Sequence, residues 1–466
     1  MRRQRAPGWE GSVLRSEGGL MHPMLLDSIQ RLKPLGRWLY EHSTEALWDR
    51  DTRTLPSDLQ KRRRDYRRFA EQFIAPLALE VDRDPERADL RPLYIEAGRR
   101  GFLSETAPWP FGTMPWRSIF RRHIFHFALK AEEFCAACGG IGLALLFHDL
   151  GMAPLLLSGD LGVWRRWLWP ICHANRRGKI HLVAYAITEP EAGSDVEESE
   201  GATCARFQTV ARKVPGGYRI RGQKVFISGG GRCDAVVVFA VLEREDGQPA
   251  RVDRDFTAFI VERGRPGFRI GRRERKLGQR ACDATQLFFD DVFVPESHRI
   301  GPERSGWALN RNVLNYSRAV VGAIALGIAR GAVEVATRFA RETRLGGRPL
   351  LAYPEVQLAL AELWTITMAM RAMVWQSARY PRPVQGIAAA TKALCADLGL
   401  YVANRAMELM GDYGYLPPYG VEKAMRDVRL NQIYEGTNQI NLLAVIESLW
   451  TPDIAGAPGE GFSAIG

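Results

Sequence analysis

Glu435 is the side chain in this sequence that is best placed to do acid–base chemistry. It stands between Tyr434 and Gly436, where a long helical pattern ends. The run Gly-Thr-Asn-Gln that follows the carboxylate predicts a break in the helix, with backbone N–H groups and side-chain amides beside it. Such a carboxylate can take up a proton while the donors stabilise the charge that develops. For an isolated glutamate, a solvated position on a helix face is the alternative interpretation.

Four motifs occur in the order found in a known family. They are Ala186–Asp195, Gly222–Ser228, the pair Lys276–Arg280 and Phe289–Pro295, and Met425–Ile440. The last resembles the catalytic loop of the acyl-CoA dehydrogenases. Ala186–Asp195 resembles that family's first signature, and Gly222–Ser228 resembles the strand that covers its flavin. The pair Lys276–Arg280 and Phe289–Pro295 resembles the end of its β domain. The resemblance runs from about residue 55 to about residue 450.

The resemblance implies a bound FAD, since the family holds that cofactor between its β domain and its C-terminal helices. Two hydroxyl groups would bond the flavin ring edge and the pyrophosphate, an aromatic ring would stack beside the isoalloxazine, and a serine replaces a usual threonine. Two further positions would lie near the cofactor, beyond the catalytic loop. Thr188 and Ser194 are the two hydroxyl groups, and Phe226 is the aromatic ring. Ser228 is the serine, and Thr437 and Gln439 are the two further positions. The sequence has no strand–GxGxxG–helix unit, which argues against a Rossmann nucleotide site.

The reaction implied by the resemblance is the α,β-dehydrogenation of an acyl-CoA thioester. Glu435 would remove the α-proton while a hydride leaves the β-carbon for the flavin, and its backbone N–H and a ribityl hydroxyl would bond the thioester carbonyl. A free glutamate titrates near about 4.3, so desolvation by substrate and by Tyr434 is expected to raise the pKa of Glu435. Arg318 matches a family arginine near this loop and would tune the carboxylate. Some relatives carry the base at the position of Ser317, which leaves Glu435 as the candidate here.

At several cofactor positions the chain departs from the family pattern. The family carries an arginine and a Phe-Gly pair that reach the FAD of the neighbouring subunit, and a glutamine and a glycine on a later helix. The corresponding residues here are Thr343, Gly346, Gly347, Glu408 and Asp412. Loss of one charge-assisted bond, about 1.5–3 kcal/mol, predicts an affinity for FAD that is weaker by about tenfold to a hundredfold. Arg344 or Arg348 would compensate if the local register shifts.

Composition bounds the remaining classes of function. With 466 residues, 46% of them hydrophobic, the chain can bury a large core and is expected to form two or three domains. The net charge of +11 lies partly in runs such as Lys61–Arg64, which we place on the solvated face of an amphipathic helix. No nucleic-acid binding is expected, because the sequence shows no basic patch with interleaved aromatics. No stretch reaches about 18 apolar residues, so no membrane span is expected.

The seven cysteines do not form a disulfide framework. Cys135 and Cys138 are the single close pair, and they lack the second pair that a zinc site would need. We therefore expect no metal site. This use of cysteine does not indicate an oxidising compartment, so a cytoplasmic protein is expected.

Hydrophobic periodicity divides the chain into five parts. Residues 1–54 form an N-terminal extension that is partly helical, 55–181 a helical domain, 182–302 a β domain, 303–450 a helical bundle and 451–466 a flexible tail. The fold class is therefore α + β, with an N-terminal helical domain, a central β-barrel-like domain and a C-terminal helical bundle, the architecture of the acyl-CoA dehydrogenases. For the extension, a membrane-surface or partner-docking role is an alternative to packing on the body.

Short β-branched or aromatic runs predict the strands of the β domain. These runs are Leu182–Thr188, Tyr218–Ser228, Asp234–Leu242, Phe256–Glu262 and Thr285–Val292. In the bundle, many small residues between 320 and 331 predict the close approach of two helices.

We therefore expect an FAD-dependent acyl-CoA dehydrogenase that passes electrons to an electron-transfer flavoprotein and forms a homodimer or homotetramer. Two alternatives stay open: a flavin oxidase or monooxygenase of the same fold, and a non-catalytic binding or assembly paralogue with a degraded FAD site. Retention of Glu435 argues against the monooxygenase. The sequence does not specify the acyl chain, although part of its pocket is expected around Phe147–Leu157.

Overall fold

The computed structural model describes residues 23–39, 47–120 and 122–455. Two groups of helices flank a mixed eight-stranded sheet, which confirms the predicted α + β fold class. The path of the sheet runs from one edge strand to another without closing, so the β domain resembles a barrel only loosely. Most of the predicted extension (residues 1–22 and 40–46) and of the predicted tail (456–466) lies outside the described residues.

The N-terminal part is built from helices. They are α1 Pro23–Gln30, α2 Pro34–Trp38, α3 Leu47–Thr54, α4 Ser57–Phe69, α5 Ala78–Arg83, α6 Arg91–Arg99, α7 Trp116–Ile119, α8 His123–Ala137, α9 Gly139–Leu157, α10 Leu161–Val163 and α11 Trp169–Arg176. Helix α4 is followed by a π-helical turn over Ala70–Ile74, and α10 by another over Trp164–Leu168.

The central part is the sheet. Its strands are β1 Val183–Ala186, β2 Val210–Val214, β3 Gly217–Ser228, β4 Ala235–Leu242, β5 Phe256–Glu262, β6 Phe268–Arg273, β7 Ala284–Pro295 and β8 Arg299–Ile300. Their order is β6-β7-β3-β2-β4-β5-β8, and β1 pairs with β4 in parallel. Two short helices, α12 Ser199–Cys204 and α13 Val252–Asp255, lie in the connections.

Burial explains which strands the sequence predicts. Strand β4 reads AVVVFAVL and is buried at every position, and β1 and β5 are also almost entirely buried. The five predicted runs coincide with β1, β3, β4, β5 and β7. Strands β2 and β6 were not predicted, because both are rich in basic residues and are only partly buried. Their strand conformation depends on pairing with β3 and β7 rather than on their own apolar pattern.

The C-terminal part is a helical bundle with a small hairpin. Its elements are α14 Gly306–Glu342, β9 Arg344–Leu345, β10 Arg348–Pro349, α15 Pro354–Ala378, α16 Gln385–Leu409, α17 Val421–Arg429 and α18 Asn438–Ala455. The last helix continues through Ala455, so residues 451–455, predicted as the start of the flexible tail, are helical.

Small residues let α14 lie close to α8, as their pattern predicts. A methyl group on Gly327 would lie 2.5 Å from the carbonyl oxygen of Glu132, and one on Gly331 would lie 2.3 Å from that of Ala136. Any larger side chain at either position would push the two helices apart.

The basic run of α4 is not solvated throughout, so the sequence prediction for it is wrong at Arg63. This arginine is fully buried and donates to Glu133 Oε1 at 3.0 Å and to Glu132 Oε1 at 3.1 Å. Arg330 Nη2 donates to Glu133 at 2.7 Å, and Arg371 Nη2 donates to Glu132 at 2.8 Å. We call these five residues the structural cluster. It joins α4, α8, α14 and α15 through ion pairs that periodicity alone does not show.

Four helices in the described part of the chain are long and apolar enough to cross a membrane, by length and composition. They are α9, α14, α15 and α16, with mean hydropathies between 1.2 and 1.7. The expectation that no stretch meets this threshold is therefore wrong, because alanine and glycine with few charges suffice. In the most apolar 18-residue segment of each helix, 83% of α9 and 78% of α14 is buried in the protein. Helix α9 packs on β1, and α14 packs on α8 and α16, so the apolar surface of these two helices belongs to the core, whereas 39% of that segment is buried in α15 and 56% in α16.

The described part of the extension contacts the body at one helix. The Trp48 Nε1 group in α3 donates to Glu133 at 2.8 Å. In contrast, α2 has no buried residue, and Leu35, Trp38 and Leu39 are exposed. The expectation that the extension packs on the body therefore holds for α3 and not for α2.

Candidate active site

A cleft opens between α8, α9, α14 and the sheet. Most of its lining is apolar and includes Phe127, Leu143, Phe147, Leu150, Val320 and Ile324. This is the region around Phe147 where the sequence places the acyl pocket. A small number of polar side chains face the same space, which is the composition of a small-molecule site.

Glu435 lines this cleft in the turn between a 3-10 helix and α18. Its φ of 52° and the 78° of Gly436 place two successive residues in the left-handed region. Glycine adopts that conformation freely, whereas a glutamate there is strained and must be held by its surroundings. Asn441 Nδ2 does so by donating to the carbonyl oxygens of Glu435, Gly436 and Thr437 at 3.3, 3.0 and 3.0 Å. The turn therefore fixes the direction of the carboxylate.

Ser317 and Tyr434 flank the carboxylate. The Ser317 hydroxyl on α14 donates to Glu435 Oε2, and the Tyr434 hydroxyl accepts a bond from Gln279 Nε2 at 3.3 Å. Burial raises the pKa of Glu435, while the Ser317 bond and the charges of Lys392 and Arg318 act in the opposite direction. The net shift is upward, which makes the carboxylate a stronger proton acceptor than an exposed glutamate.

Lys392 supports the same turn from α16. Its Nζ donates to the Gly436 carbonyl oxygen at 2.6 Å and to Asn438 Oδ1 at 3.0 Å. Burial lowers the pKa of this lysine to about 8, although Glu197 and Glu435 oppose the shift. The ammonium group thus brings positive charge close to the candidate base.

Arg318 lies behind the cleft wall. It is 2% exposed, and its Nη1 donates to Asn315 Oδ1 at 3.3 Å. Its Nη2 is 3.7 Å from Glu197 Oε2, which is too long for a hydrogen bond. Nε and Nη2 have no hydrogen-bond partner within the described ranges. Its effect on Glu435 is therefore electrostatic and lowers the pKa of that carboxyl, and the tuning role stays a prediction.

Glu197 is a second carboxyl group in the cleft, and sequence reasoning missed it. It ends the 3-10 turn Ser194–Glu197 and is 8% exposed. A methyl group on Gly436 would lie 2.4 Å from its Oε2, so the glycine makes room for this carboxyl. Burial raises the pKa of Glu197 to about 7; Arg318 opposes the rise and the charge of Glu435 adds to it. The available signal was its position two residues after the first motif.

The predicted flavin-facing residues Thr188, Phe226 and Ser228 line the same cleft from the β domain. Phe226 is 61% exposed and has a φ of 58°, at a register shift between β3 and β7. An exposed ring in a strained backbone conformation, with two hydroxyls beside it, is suited to a planar aromatic ligand. The side chains present at this wall therefore fit the isoalloxazine of FAD.

Ser194 and Thr437 are brought together at the N-terminal end of α18. The Thr437 N–H donates to Ser194 Oγ at 3.2 Å, and Thr437 Oγ1 accepts from the Ile440 N–H at 3.3 Å. Gln439 is exposed on the first turn of α18 and is not among the residues that line the cleft. A cofactor role for these three residues remains a prediction.

The hairpin after α14 contains two of the positions at which the chain differs from the family pattern. The glycine pair 346–347, with φ of 57° and 82°, forms the turn between β9 and β10. Arg344 Nη1 donates to the Gly347 carbonyl oxygen at 3.0 Å, and Arg348 stacks on Tyr353. Both arginines thus contact their own hairpin, and neither lines the cleft of this chain.

The other substituted positions are also outside the cleft. Thr343 follows the end of α14, Glu408 pairs with Arg405 at the end of α16, and Asp412 is exposed. The resemblance implies that the position of Thr343 faces the flavin of a neighbouring subunit. Weak binding of FAD remains a prediction.

Three family descriptions match successive parts of the chain. They are "Acyl-CoA dehydrogenase, N-terminal domain" over residues 56–175, "middle domain" over 184–292 and "C-terminal domain" over 304–450. Together they cover most of the sequence and correspond to the helical part, the sheet and the bundle.

Individual proteins match over nearly their whole length. The short-chain specific acyl-CoA dehydrogenase of Clostridium acetobutylicum is 32% identical over 383 residues, which is 81% of this chain and 94% of that protein. The butyryl-CoA dehydrogenase of Megasphaera elsdenii has a TM-score of 0.76 and 28% identity, and the match covers 85% of this chain and 98% of that one. A structure described as the electron transferring flavoprotein of Acidaminococcus fermentans contains a chain with a TM-score of 0.75 and 30% identity, covering 85% and 98%.

Proposed function

This chain belongs to the acyl-CoA dehydrogenase family, and we propose that Glu435 is the base with which it removes the α-proton of an acyl-CoA thioester. The family binds FAD, and the protein is an oxidoreductase that acts on acyl-CoA. The observation that carries the proposal is the carboxylate itself. A strained turn fixes this carboxylate, and burial raises its pKa. It faces an apolar cleft whose opposite wall fits a flavin.

The apolar lining binds the acyl chain and excludes water from the reacting carbons. Side chains such as Leu143, Phe147 and Ile324 offer no polar group to the chain, so the thioester end is the part that must meet polar residues. With water excluded, the electrostatic interactions of Glu435 are stronger than in solvent.

Proton removal is the step that the residues of this chain perform. Glu435 accepts the α-proton, and the Ser317 hydroxyl steadies the carboxylate before the proton arrives. The backbone N–H of Glu435 is proposed to hydrogen-bond the thioester carbonyl, where negative charge develops. FAD, when bound beside Phe226, supplies the acceptor for the hydride that leaves the β-carbon.

We propose an electron-transfer flavoprotein as the electron acceptor, in the cytoplasm. A chain of the same fold occurs in the structure described as the electron transferring flavoprotein of Acidaminococcus fermentans, which supports this class of partner. All seven cysteines are free, which agrees with a reducing compartment. A homo-oligomer would cover exposed apolar side chains of α15 and α18, namely Leu358, Leu442, Leu443, Ile446 and Leu449.

An anaerobic titration of the FAD-supplemented protein with a panel of acyl-CoA thioesters tests the proposal. We expect one chain class to bleach the visible flavin band, which establishes the dehydrogenase half-reaction and identifies the substrate class. A flavin band that resists every thioester would contradict the proposal. Release of hydrogen peroxide in air, without need of a partner flavoprotein, would instead identify an oxidase of the same fold.

A further inference from the structure

Four ionisable side chains meet around Gly436. Glu435 precedes it, Lys392 donates to its carbonyl oxygen at 2.6 Å, and the Glu197 carboxyl lies against its Cα. Arg318 is 3.7 Å from Glu197 on the other side. Two carboxyls and two cations are thus enclosed in one buried pocket wall, although proton removal needs only one carboxylate.

We propose that Glu197 is a positioning residue of this active site: its carboxyl group competes with Glu435 for the positive charge of Arg318 and, once ionised, makes Glu435 the stronger base. This inference rests on the proposed role of Glu435.

The contacts of Glu197 distinguish it from a fixed structural ion pair. Its Oε2 has no hydrogen-bond partner of standard geometry in the described chain, although the Gly436 N–H lies close enough to lower its pKa, and Nε and Nη2 of Arg318 also lack a partner there. A buried guanidinium and carboxyl that served stability alone would be expected to form short, two-pronged bonds. Here the separation of 3.7 Å leaves the charge of Arg318 available to both carboxyls.

The neighbours of Glu197 come from four elements. Arg318 faces it from α14, Lys392 from α16, Glu435 from the turn before α18 and Tyr185 from β1. Burial raises the pKa of Tyr185 well above its usual value, and its hydroxyl donates to Asn310, so this ring stays neutral. The balance is therefore set by two cations and two carboxyls. Removal of the Glu197 charge leaves both cations acting on Glu435 alone, which weakens it as a base.

The proton on Glu197 makes the effect depend on pH. Burial raises the pKa of Glu197 to about 7, so below neutral pH the group is uncharged and equivalent to a glutamine. Above neutral pH its negative charge raises the proton affinity of Glu435. We therefore expect the rate of flavin reduction by an acyl-CoA to rise as the pH passes through 7.

The variant Glu197→Gln tests this, with Glu200→Gln as the matched control, because Glu200 is exposed on the adjacent helix α12. Anaerobic stopped-flow traces of the FAD-loaded proteins with a reducing acyl-CoA are recorded between pH 6 and 8.5. We expect Glu197→Gln to match the wild type at pH 6 and to be severalfold slower at pH 7.5, where Lys392, with a pKa of about 8, still carries its charge, while the control follows the wild type throughout. A profile for Glu197→Gln that is parallel to the wild type would overturn the inference.

A second readout needs no substrate. The raised pKa means that folded protein holds the Glu197 proton between pH 4.5, the ordinary value, and about 7. Stability from this group is therefore full below pH 4.5 and is lost as the pH rises to 7. The melting temperature of the wild type minus that of Glu197→Gln should fall by a few degrees over this range, and a constant difference would contradict a shared charge.

A failure of the proposed role of Glu435 can be distinguished from a failure of the inference about Glu197. If no thioester reduces the wild-type flavin, the proposed base falls and the inference falls with it. If the wild type is reduced and Glu435→Gln is not, while Glu197→Gln keeps the wild-type pH profile, the base stands and only the inference is wrong.

Discussion

Two buried groups of glutamates and arginines in this chain use the same residue types with opposite results. In the structural cluster, burial is outweighed by the guanidinium groups of Arg330 and Arg63, and the pKa of Glu133 lies well below its usual value. In the active site, burial prevails over Ser317 and the nearby cations, and the pKa of Glu435 is raised. The first group contains fixed anions, and the second contains proton acceptors.

The difference comes from the geometry of the arginine contacts. Glu133 accepts direct bonds from Arg63, Arg67 and Arg330 at 2.7–3.3 Å. Arg318, by contrast, approaches Glu197 no closer than 3.7 Å. A carboxylate that accepts several charge-assisted bonds loses its affinity for protons, whereas one that is desolvated without them gains it. The distance between carboxylate and guanidinium therefore decides whether the pKa of a buried glutamate in this chain is lowered or raised.

The largest effect is expected for Glu435→Gln. The amide keeps the size of the side chain but cannot accept the α-proton, so flavin reduction by acyl-CoA should slow by about 10²–10⁴-fold. The visible spectrum of bound FAD and the melting temperature should stay close to those of the wild type. Near-normal reduction in this variant would show that another group is the base.

Glu133→Gln is expected to affect stability instead of chemistry. The substitution leaves buried guanidinium groups without their counter-charge, and it should lower the free energy of unfolding by about 3–5 kcal/mol. Urea unfolding followed by circular dichroism measures this. The exposed Glu80 provides the control, since Glu80→Gln should change the free energy of unfolding by no more than about 0.5 kcal/mol. An equally small effect of Glu133→Gln would remove the contrast between the two groups.

The effect of Glu133→Gln on stability depends on pH. Because the pKa of Glu133 is depressed in the folded protein, its contribution to stability is complete above the ordinary value of 4.5 and is lost as the pH falls below it. The difference in stability between wild type and Glu133→Gln should therefore shrink only in acid. Glu197 is expected to show the reverse, with its loss between pH 4.5 and 7.

Sequence was sufficient for the fold class and for part of the cleft lining. Apolar periodicity and small residues predict the helices and their close packing, and strands buried on both sides, such as β4, are evident from composition. The candidate base was found because Glu435 stands in a local pattern that breaks a helix and that resembles the catalytic loop of the family. Local patterns of this kind can be read without knowledge of the tertiary structure.

Contacts between distant segments could not be predicted in this way. Arg63 belongs to a basic run that looks solvated, and its partner Glu133 is 70 positions away. Glu197 precedes Glu435 by more than two hundred positions and has no local feature that separates it from its neighbours Glu198 and Glu200. The packing of the 3-10 turn Ser194–Glu197 against α14 and against the turn that carries Glu435 brings it into the cleft.

Ser317→Ala examines the hydrogen bond that Ser317 donates to the side-chain carboxylate of the candidate base. The Ser317 hydroxyl lowers the pKa of Glu435, so its removal should raise that pKa. The acid limb of the rate of flavin reduction should move to higher pH, with a severalfold loss near pH 6 and little change at pH 9. The plateau at high pH is the internal control, and an equal loss at all pH values would indicate a displaced carboxylate instead.

The smallest effect is expected at the hairpin after α14. Arg344 and Arg348 are exposed and already contact Gly347 and Tyr353, and exposed ion pairs contribute about 1 kcal/mol at most. Arg344→Ala and Arg348→Ala should therefore weaken FAD binding by about fivefold at most. Fluorescence titration of the apoprotein with FAD measures this. A loss of about tenfold or more in one variant would show that this arginine replaces the guanidinium missing at Thr343, so that a surface arginine had taken on the fixed-charge role that the structural cluster performs in the core.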